Sequence, residues 1–363
     1  MSPDLAPAAR VAGRGLLAVG ALAVGAVLGA VAERSLVRGA ALPMTAEGGE
    51  EFGSLRGDVY EVAASDGSVL HVEVDEAPGT DVPTVVFCHG YALNLDSWHY
   101  QRLALRGRAR LVLYDQRSHG RSARAEFDSH HVEQLGDDLA AVIAAIVPTA
   151  PLLLVGHSMG GMSIMAFAEQ CPAVFAERVF GVALISTSAG GSNSGLLGLP
   201  PLLGTLFQRL APPVVAAVAR QRRLVERSRW NHSDLGLLLT RIYSFGSTAP
   251  DQAGRFVAGM VSATPIDVIA EFLPAIQEHD KRAALSLFES VELLVIVGES
   301  DRITPREQSD AIVRQVPGAE YIVIDDAGHM VTIEKHEEVD AALLGLLARV
   351  RRDIAGDADG GAG

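Results

Sequence analysis

The chain reads as a doubly wound α/β protein with a mostly parallel sheet, on three observations. Apolar runs of strand length alternate with helix-length periodic stretches through residues 84–187. Several of these runs end in polar, glycine-containing clusters, the place where open α/β sheets build their sites. One such cluster, Gly156-His157-Ser158-Met159-Gly160, stands between the run Pro151-Leu152-Leu153-Leu154-Val155 and a helical pattern over 163–169. That is the strand–turn–helix setting of a G-x-S-x-G nucleophile elbow.

Residues 58–64 and 69–74 predict a hairpin around Ser65-Asp66-Gly67-Ser68. Thr84-Val85-Val86-Phe87-Cys88 is the first buried strand, and Asp96 is the expected cap of a helix beginning near Ser97. The pattern over 132–147 predicts a helix whose Asp137 and Asp138 face solvent or brace a loop. Strands follow at 151–155 and 179–185. The alternation breaks over residues 189–290, which hold Gly190-Gly191-Ser192, Leu199-Pro200-Pro201, Pro212-Pro213 and Leu-, Val- and Ala-rich helical runs. It resumes with strands at 291–298 and 319–324, a helix start at Thr304-Pro305 and a helix over 336–350. Residues 353–363 read as a disordered tail.

A serine hydroxyl needs a base, and the base needs an orienting carboxylate. In chain order this architecture places serine, then Asp or Glu, then histidine. Ser158 is the candidate nucleophile. His329, preceded by Gly328 after the last strand, is the candidate base. Asp301 is the candidate orienter, following its strand by a short loop; Glu299, Asp325 and Asp326 are the rivals. The expected oxyanion donors are the backbone N–H of Met159, after the nucleophile, and of Tyr91, in the loop His89-Gly90-Tyr91. Gly90 lets the backbone approach a substrate oxygen, and the His89 ring is expected to brace the loop.

With these residues in view, the chain resembles α/β-hydrolase-fold serine hydrolases, in motif style the esterases and monoacylglycerol-type lipases. Four blocks carry the resemblance over about residues 58–350: Cys88-His89-Gly90-Tyr91, Tyr114-Asp115-Gln116-Arg117-Ser118-His119-Gly120-Arg121-Ser122, Gly156 through Gly161, and the Asp301–His329 pair. The second departs from the family pattern, which usually has glycine where Ser118 stands. The resemblance implies an eight-stranded, mostly parallel sheet in a core of residues 58–188 and 291–352, with residues 189–290 inserted as a helical cap. Cap residues such as Leu202, Leu206, Phe207, Val214, Phe245, Phe256, Met260, Phe272 and Leu273 are candidates to line an acyl pocket. It further implies cleavage of carboxylic esters with apolar acyl chains through an acyl-enzyme, with no cofactor. The same triad serves acyltransferase, cofactor-free haloperoxidase and carbon–carbon hydrolase chemistry. A non-catalytic, membrane-tethered binding protein is a further alternative. Epoxide hydrolases and haloalkane dehalogenases carry an aspartate where Ser158 stands.

Composition fits an enzyme of this size. Hydrophobic residues make up 48% of 363, enough for a sizeable core. The net charge of −14 gives nucleic acid no basic footprint; the resemblance implies a small-molecule or lipid ester as the partner. Two cysteines in apolar contexts, Cys88 and Cys171, and the lack of a metal-binding motif leave no metal centre expected. Mean hydropathy is high at +0.23, and the excess sits near the N-terminus. Residues 15–32 run without a charge, close to the ~20 residues a spanning helix needs. We read them as a single-pass membrane anchor, with a signal peptide cleaved at Ala30-Val31-Ala32 as the alternative. Residues 33–57, acidic and glycine-rich toward their end, are expected to form a flexible linker.

Overall fold

The computed structural model describes residues 45–46, 49–79, 82–190, 244–246 and 251–360. The expected anchor at 15–32 and cap residues 191–243, Leu202, Leu206, Phe207 and Val214 among them, lie outside the described residues. No single helix among the described residues is long and apolar enough to cross a membrane.

In chain order the strands are β1 (Asp58–Ala63), β2 (Val69–Asp75), β3 (Thr84–Cys88), β4 (Arg110–Tyr114), β5 (Leu152–His157), β6 (Val179–Ile185), β7 (Glu292–Gly298) and β8 (Glu320–Ile324). They form a sheet in the order β1-β2-β4-β3-β5-β6-β7-β8. The β1–β2 and β2–β4 pairings are antiparallel and all the others parallel. The hairpin closes through Gly67 at φ +84° and an Asp66 carboxylate that accepts the Ser68 N–H at 3.0 Å. Every residue of β3 and β5 is buried, because parallel strands covered on both faces read as unbroken apolar runs. Alternate side chains still enter different layers. Val86, Cys88, Leu152 and Leu154 join one core cluster; Val85, Phe87, Leu153 and Val155 join the other.

The helices are α1 (His99–Leu105), α2 (Val132–Ile146), α3 (Met159–Gln170), α4 (Pro172–Arg178), α5 (Asp251–Ala263), α6 (Ile266–Glu278), α7 (Arg306–Gln315), α8 (Val331–Glu334) and α9 (His336–Gly360). Leu139, Val142 and Ile143 of α2, and Ile164, Met165 and Phe167 of α3, cover one face of the sheet. Leu343, Leu346, Leu347 and Val350 of α9, with Leu105 of α1, cover the other. Helices α5 and α6 fall within the insertion at 189–290, and of the named cap candidates Phe245, Phe256, Met260 and Phe272 are buried.

Three local expectations are corrected. Asn94, not Asp96, caps the short helix Leu95–Trp98, its side chain accepting the Asp96 N–H at 2.9 Å, while Asp96 pairs with Arg56 and Arg121. Helix α9 continues past Asp353 to Gly360, where a disordered tail was expected. Residues 49–57, expected to be a flexible linker, instead pack against the core. Phe52 is buried, stacked on Phe256 at 4.6 Å and edge-on to Tyr100 at 5.6 Å. The buried Arg102 guanidinium reaches the Leu55 carbonyl at 3.3 Å while pairing with Asp75 at 2.7 Å and Glu73 at 2.8 Å. Gly57 passes so close that a Cβ there would lie 2.5 Å from the Val74 carbonyl oxygen.

Candidate active site

All the site segments lie at the carboxyl ends of parallel strands, as the parallel order requires. Strand β5 ends at His157 and α3 begins at Met159, which leaves Ser158 alone to make the turn. It does so at φ +53°, ψ −118°, a left-handed conformation that costs a non-glycine residue about 1–3 kcal/mol. The surroundings hold it there. The Ser158 N–H donates to the Ile185 carbonyl at 2.9 Å, and its own carbonyl accepts the Thr187 hydroxyl at 2.6 Å. The flanking glycines are required by contact. A Cβ on Gly160 would lie 1.9 Å from the Cys88 carbonyl oxygen, and one on Gly156 would lie 2.7 Å from the Gly160 backbone.

Asp301 follows β7 and His329 follows β8. The imidazole Nδ1–H donates to Asp301 Oδ2 at 2.9 Å, with Oδ1 at 3.2 Å. Burial alone would raise the Asp301 pKa. The adjacent imidazole and the donors converging on the carboxylate outweigh it, and the pKa falls below the ordinary carboxylate value. Those donors are the N–H groups of Ile303 and Thr304, both 2.9 Å from Oδ1, and the Thr304 hydroxyl, 2.9 Å from Oδ2. The rivals Glu299 and Asp325 are exposed.

The elbow and the histidine loop meet through His157. Its Nε2–H donates to the His329 carbonyl at 2.9 Å, and the two rings lie 4.9 Å apart. Burial, reinforced by the His329 ring, lowers the His157 pKa to about 3, so it stays neutral. The Asp301 contacts commit Nδ1 of His329, which leaves Nε2 as the ring nitrogen not held by the carboxylate.

Among the described residues, no backbone or side-chain acceptor takes the N–H of Tyr91 or Met159. The Met159 amide also begins α3, where the helix dipole favours negative charge. A Cβ on Gly90 would lie 2.8 Å from His157 Nδ1, so the oxyanion loop runs against the elbow. His89 braces that loop as expected: Nδ1–H donates to the Gly90 carbonyl at 2.8 Å and Nε2 accepts the Gln116 N–H at 2.9 Å. Burial lowers its pKa to about 3. The Tyr91 hydroxyl donates to the Ile269 carbonyl of α6, tying this loop to the inserted helices. Phe272 and Val268 of α6 pack with Leu135 and the Met159 side chain, and Tyr91 packs against the same cluster.

The Tyr114–Ser122 segment supports the site from below. Ser118, at the usual glycine position, does adopt φ +64°, and its hydroxyl contacts His130 Nε2 at 2.7 Å and accepts the Ala125 N–H at 3.0 Å. Arg117 makes a buried two-pronged pair with Asp138 at 2.6 and 2.7 Å, so Asp138 braces this loop.

Thr304 and His157 were missed as site residues by sequence reasoning. An Asp followed three residues later by Thr is a local signal for a hydroxyl folding back onto the carboxylate. Nothing local marks His157, whose partner is 172 residues away.

Residues 83–336 match the family described as alpha/beta hydrolase fold. The chain belongs to that family. It is 26% identical over 338 residues to the dihydrolipoyllysine-residue acetyltransferase component of the acetoin cleaving system of Pseudomonas putida, covering 90% of this chain and 81% of that protein. Against the monoacylglycerol lipase of Mycolicibacterium smegmatis it is 26% identical over 253 residues, 66% of this chain and 78% of the lipase. A thermophilic esterase from Thermogutta terrifontis superposes with a TM-score of 0.61 at 24% identity, over 81% of this chain and all of the esterase, a likeness of fold. The family and its esterase- and lipase-named members support a hydrolase.

Proposed function

We propose that the protein is a serine hydrolase that cleaves carboxylic esters of apolar acyl chains through an acyl-enzyme intermediate. The observation that carries this reading is the His329–Asp301 pair, bonded through His157 to the turn where Ser158 is held at φ +53° between glycines that cannot bear a Cβ. Ser158 attacks the ester carbonyl as His329 Nε2 takes its proton. Asp301 holds the imidazole by its Nδ1–H and offsets the positive charge that forms. The Tyr91 and Met159 amides receive the oxyanion, each worth about 10²–10³ in rate. His329 then protonates the leaving alcohol, and a water activated by the same ring releases the acid. Similarity to a monoacylglycerol lipase supports an apolar acyl group. Residues 15–32 fit a single-pass anchor that would hold the enzyme at the cell membrane. Fractionation of the full chain, with and without those residues, tests that part.

Hydrolysis of p-nitrophenyl esters of increasing acyl length by the full chain and by Ser158→Ala tests the chemistry. The serine variant is expected to lose at least about 10⁴-fold in kcat, and Ser158 to be labelled by a fluorophosphonate. No turnover and no labelling would overturn the reading. Acyl transfer is the second reading, favoured by similarity to the Pseudomonas putida acetyltransferase component. Adding an alcohol acceptor separates the two, since a transferase diverts the acyl group from water.

A further inference from the structure

Beyond the residues already placed, the Glu334 carboxylate joins the histidine loop to residues 244–246 within the inserted segment. Glu334, half-buried at the end of α8, accepts the Gly328 N–H at 2.7 Å and the Gly246 N–H at 2.8 Å. Gly328 immediately precedes His329. Gly246 belongs to the short stretch 244–246 within the insertion, shortly before α5, and the contact there is close on both sides. A Cβ on Gly328 would lie 2.4 Å from the Phe245 backbone, and one on Gly246 would lie 2.6 Å from the Asp326 carbonyl oxygen. One residue past the histidine, the Met330 N–H donates to the Ser244 carbonyl at 2.7 Å. The backbone on each side of His329 is therefore bonded, directly or through Glu334, to residues 244–246. Phe245 and Met330 also share an apolar cluster with Phe256 of α5.

We propose that Glu334 is a positioning residue: its carboxylate bridges the Gly328 and Gly246 amides, so the seating of the inserted segment sets the placement of His329. The inference rests on the serine-hydrolase reading for its kinetic consequence, but not for its geometry. Two N–H donors aimed at one side chain need acceptors, and both oxygens of a carboxylate accept. An amide in its place offers one acceptor oxygen and turns two donors toward the glycine N–H groups. An alanine leaves the buried Gly328 amide and the half-buried Gly246 amide without the side chain. Because a displacement of about 1 Å in a catalytic group lowers the rate by about 10²-fold, loss of the bridge acts on turnover while leaving ester binding in place.

The test compares Glu334→Gln and Glu334→Ala with the parent full chain. It measures kcat and KM for p-nitrophenyl butyrate, the rate of Ser158 labelling by a fluorophosphonate, and the thermal midpoint. The expected result is a kcat about 10- to 100-fold lower for the alanine variant. The glutamine variant falls between it and the parent, KM stays within about twofold, and labelling slows in parallel. A lowered thermal midpoint with unchanged kcat and labelling, or a rise in KM alone, would overturn the proposal. A separate arm reads the downfield proton resonance of the His329 Nδ1–H held by Asp301. It is expected in the parent and shifted or lost in Glu334→Ala, and an unchanged resonance would also overturn the proposal. If the parent neither turns over esters nor is labelled, the hydrolase reading fails, and the resonance arm still decides the role of Glu334. Should the alanine variant not fold, Glu334→Gln carries both arms.

Discussion

A carboxylate buried beside an imidazole is pulled two ways: burial favours its neutral form, and the neighbouring ring and N–H donors favour the anion. At Asp301 the anion wins, first through the His329 ring and then through the donors of its own loop, with Ile303 and Thr304 wrapping the carboxylate within three residues. The Thr304 hydroxyl is the replaceable member, since it also sits 3.3 Å from His329 Nδ1 and its removal leaves the backbone donors untouched. A hydrogen bond to a charged group contributes about 1.5–3 kcal/mol. Thr304→Val is therefore expected to lower kcat/KM by about tenfold at neutral pH through kcat, with KM near the parent value. Steady-state kinetics on one short-chain ester check it, and a KM effect alone would mean that Thr304 serves substrate binding instead. The same residue illustrates what a sequence conveys at this scale. The Asp301–His329 pairing and the tight turn at Ser158 were legible because the expected chemistry asks for those residue types at strand ends. Ser118 was legible only as a departure from a family habit. Its φ of +64° shows that the backbone keeps the glycine-like conformation, while its hydroxyl gains contacts a glycine would lack.

At the scale of elements, strand positions were legible because β-branched apolar runs bounded by turn residues have few other uses, and β3 and β6 begin and end where their patterns do. Residues 49–57 were not legible. Their acidic, glycine-rich composition signals solvent, and a single Phe52 carries no periodicity. Its role exists only because α1 and α5 place Tyr100 and Phe256 around it. The tail misled in the same way: Asp353 and its acidic neighbours read as solvent-loving, yet α9 carries the register of its buried Leu346, Leu347 and Val350 onward to Gly360. The strap has a consequence for stability. Truncating a buried phenylalanine to alanine costs about 3–5 kcal/mol in a well-packed core. Phe52→Ala, which frees Phe256 of α5 as well as its own site, is expected near the lower end of that range. A chain beginning at residue 58 should show at least the same loss relative to one beginning at residue 45. Chemical denaturation of the three proteins checks it, and equal midpoints would mean that the strap is ornamental to the fold.

For the whole molecule the dominant electrostatic feature is a set of neutral histidines enclosed around the site. Burial, helped by neighbouring histidines at His89 and His157, lowers the pKa of His89 and His157 to about 3 and that of His119 to about 4. Each is fixed as a neutral tautomer by one donated and one accepted bond or by a carbonyl partner: His119, for example, donates from Nδ1 to the Arg117 carbonyl at 2.9 Å and accepts the Ala92 N–H at 3.1 Å. In the unfolded chain these rings titrate near 6.5. Between those values the unfolded state binds more protons than the folded one, so stability rises with pH there. The contribution is complete above about 6.5 and is lost as pH falls toward 4. Asp115 works the other way. Burial raises its pKa to about 6 against the Leu95 and Arg121 N–H groups that lower it, so below that value the folded state takes up a proton the unfolded state does not. The lowered histidines, His130 at about 4 among them, outnumber Asp115, so protons are taken up on unfolding near pH 5.5 and stability falls as pH falls. Urea midpoints should therefore be nearly flat above pH 7 and fall steeply from 6.5 to 5.5, before the lowered carboxylates Asp301 and Glu73 begin to titrate. A midpoint constant across that window would mean that the enclosed rings admit protons and water in the folded state, and the neutral-histidine frame around Ser158 would have to be abandoned.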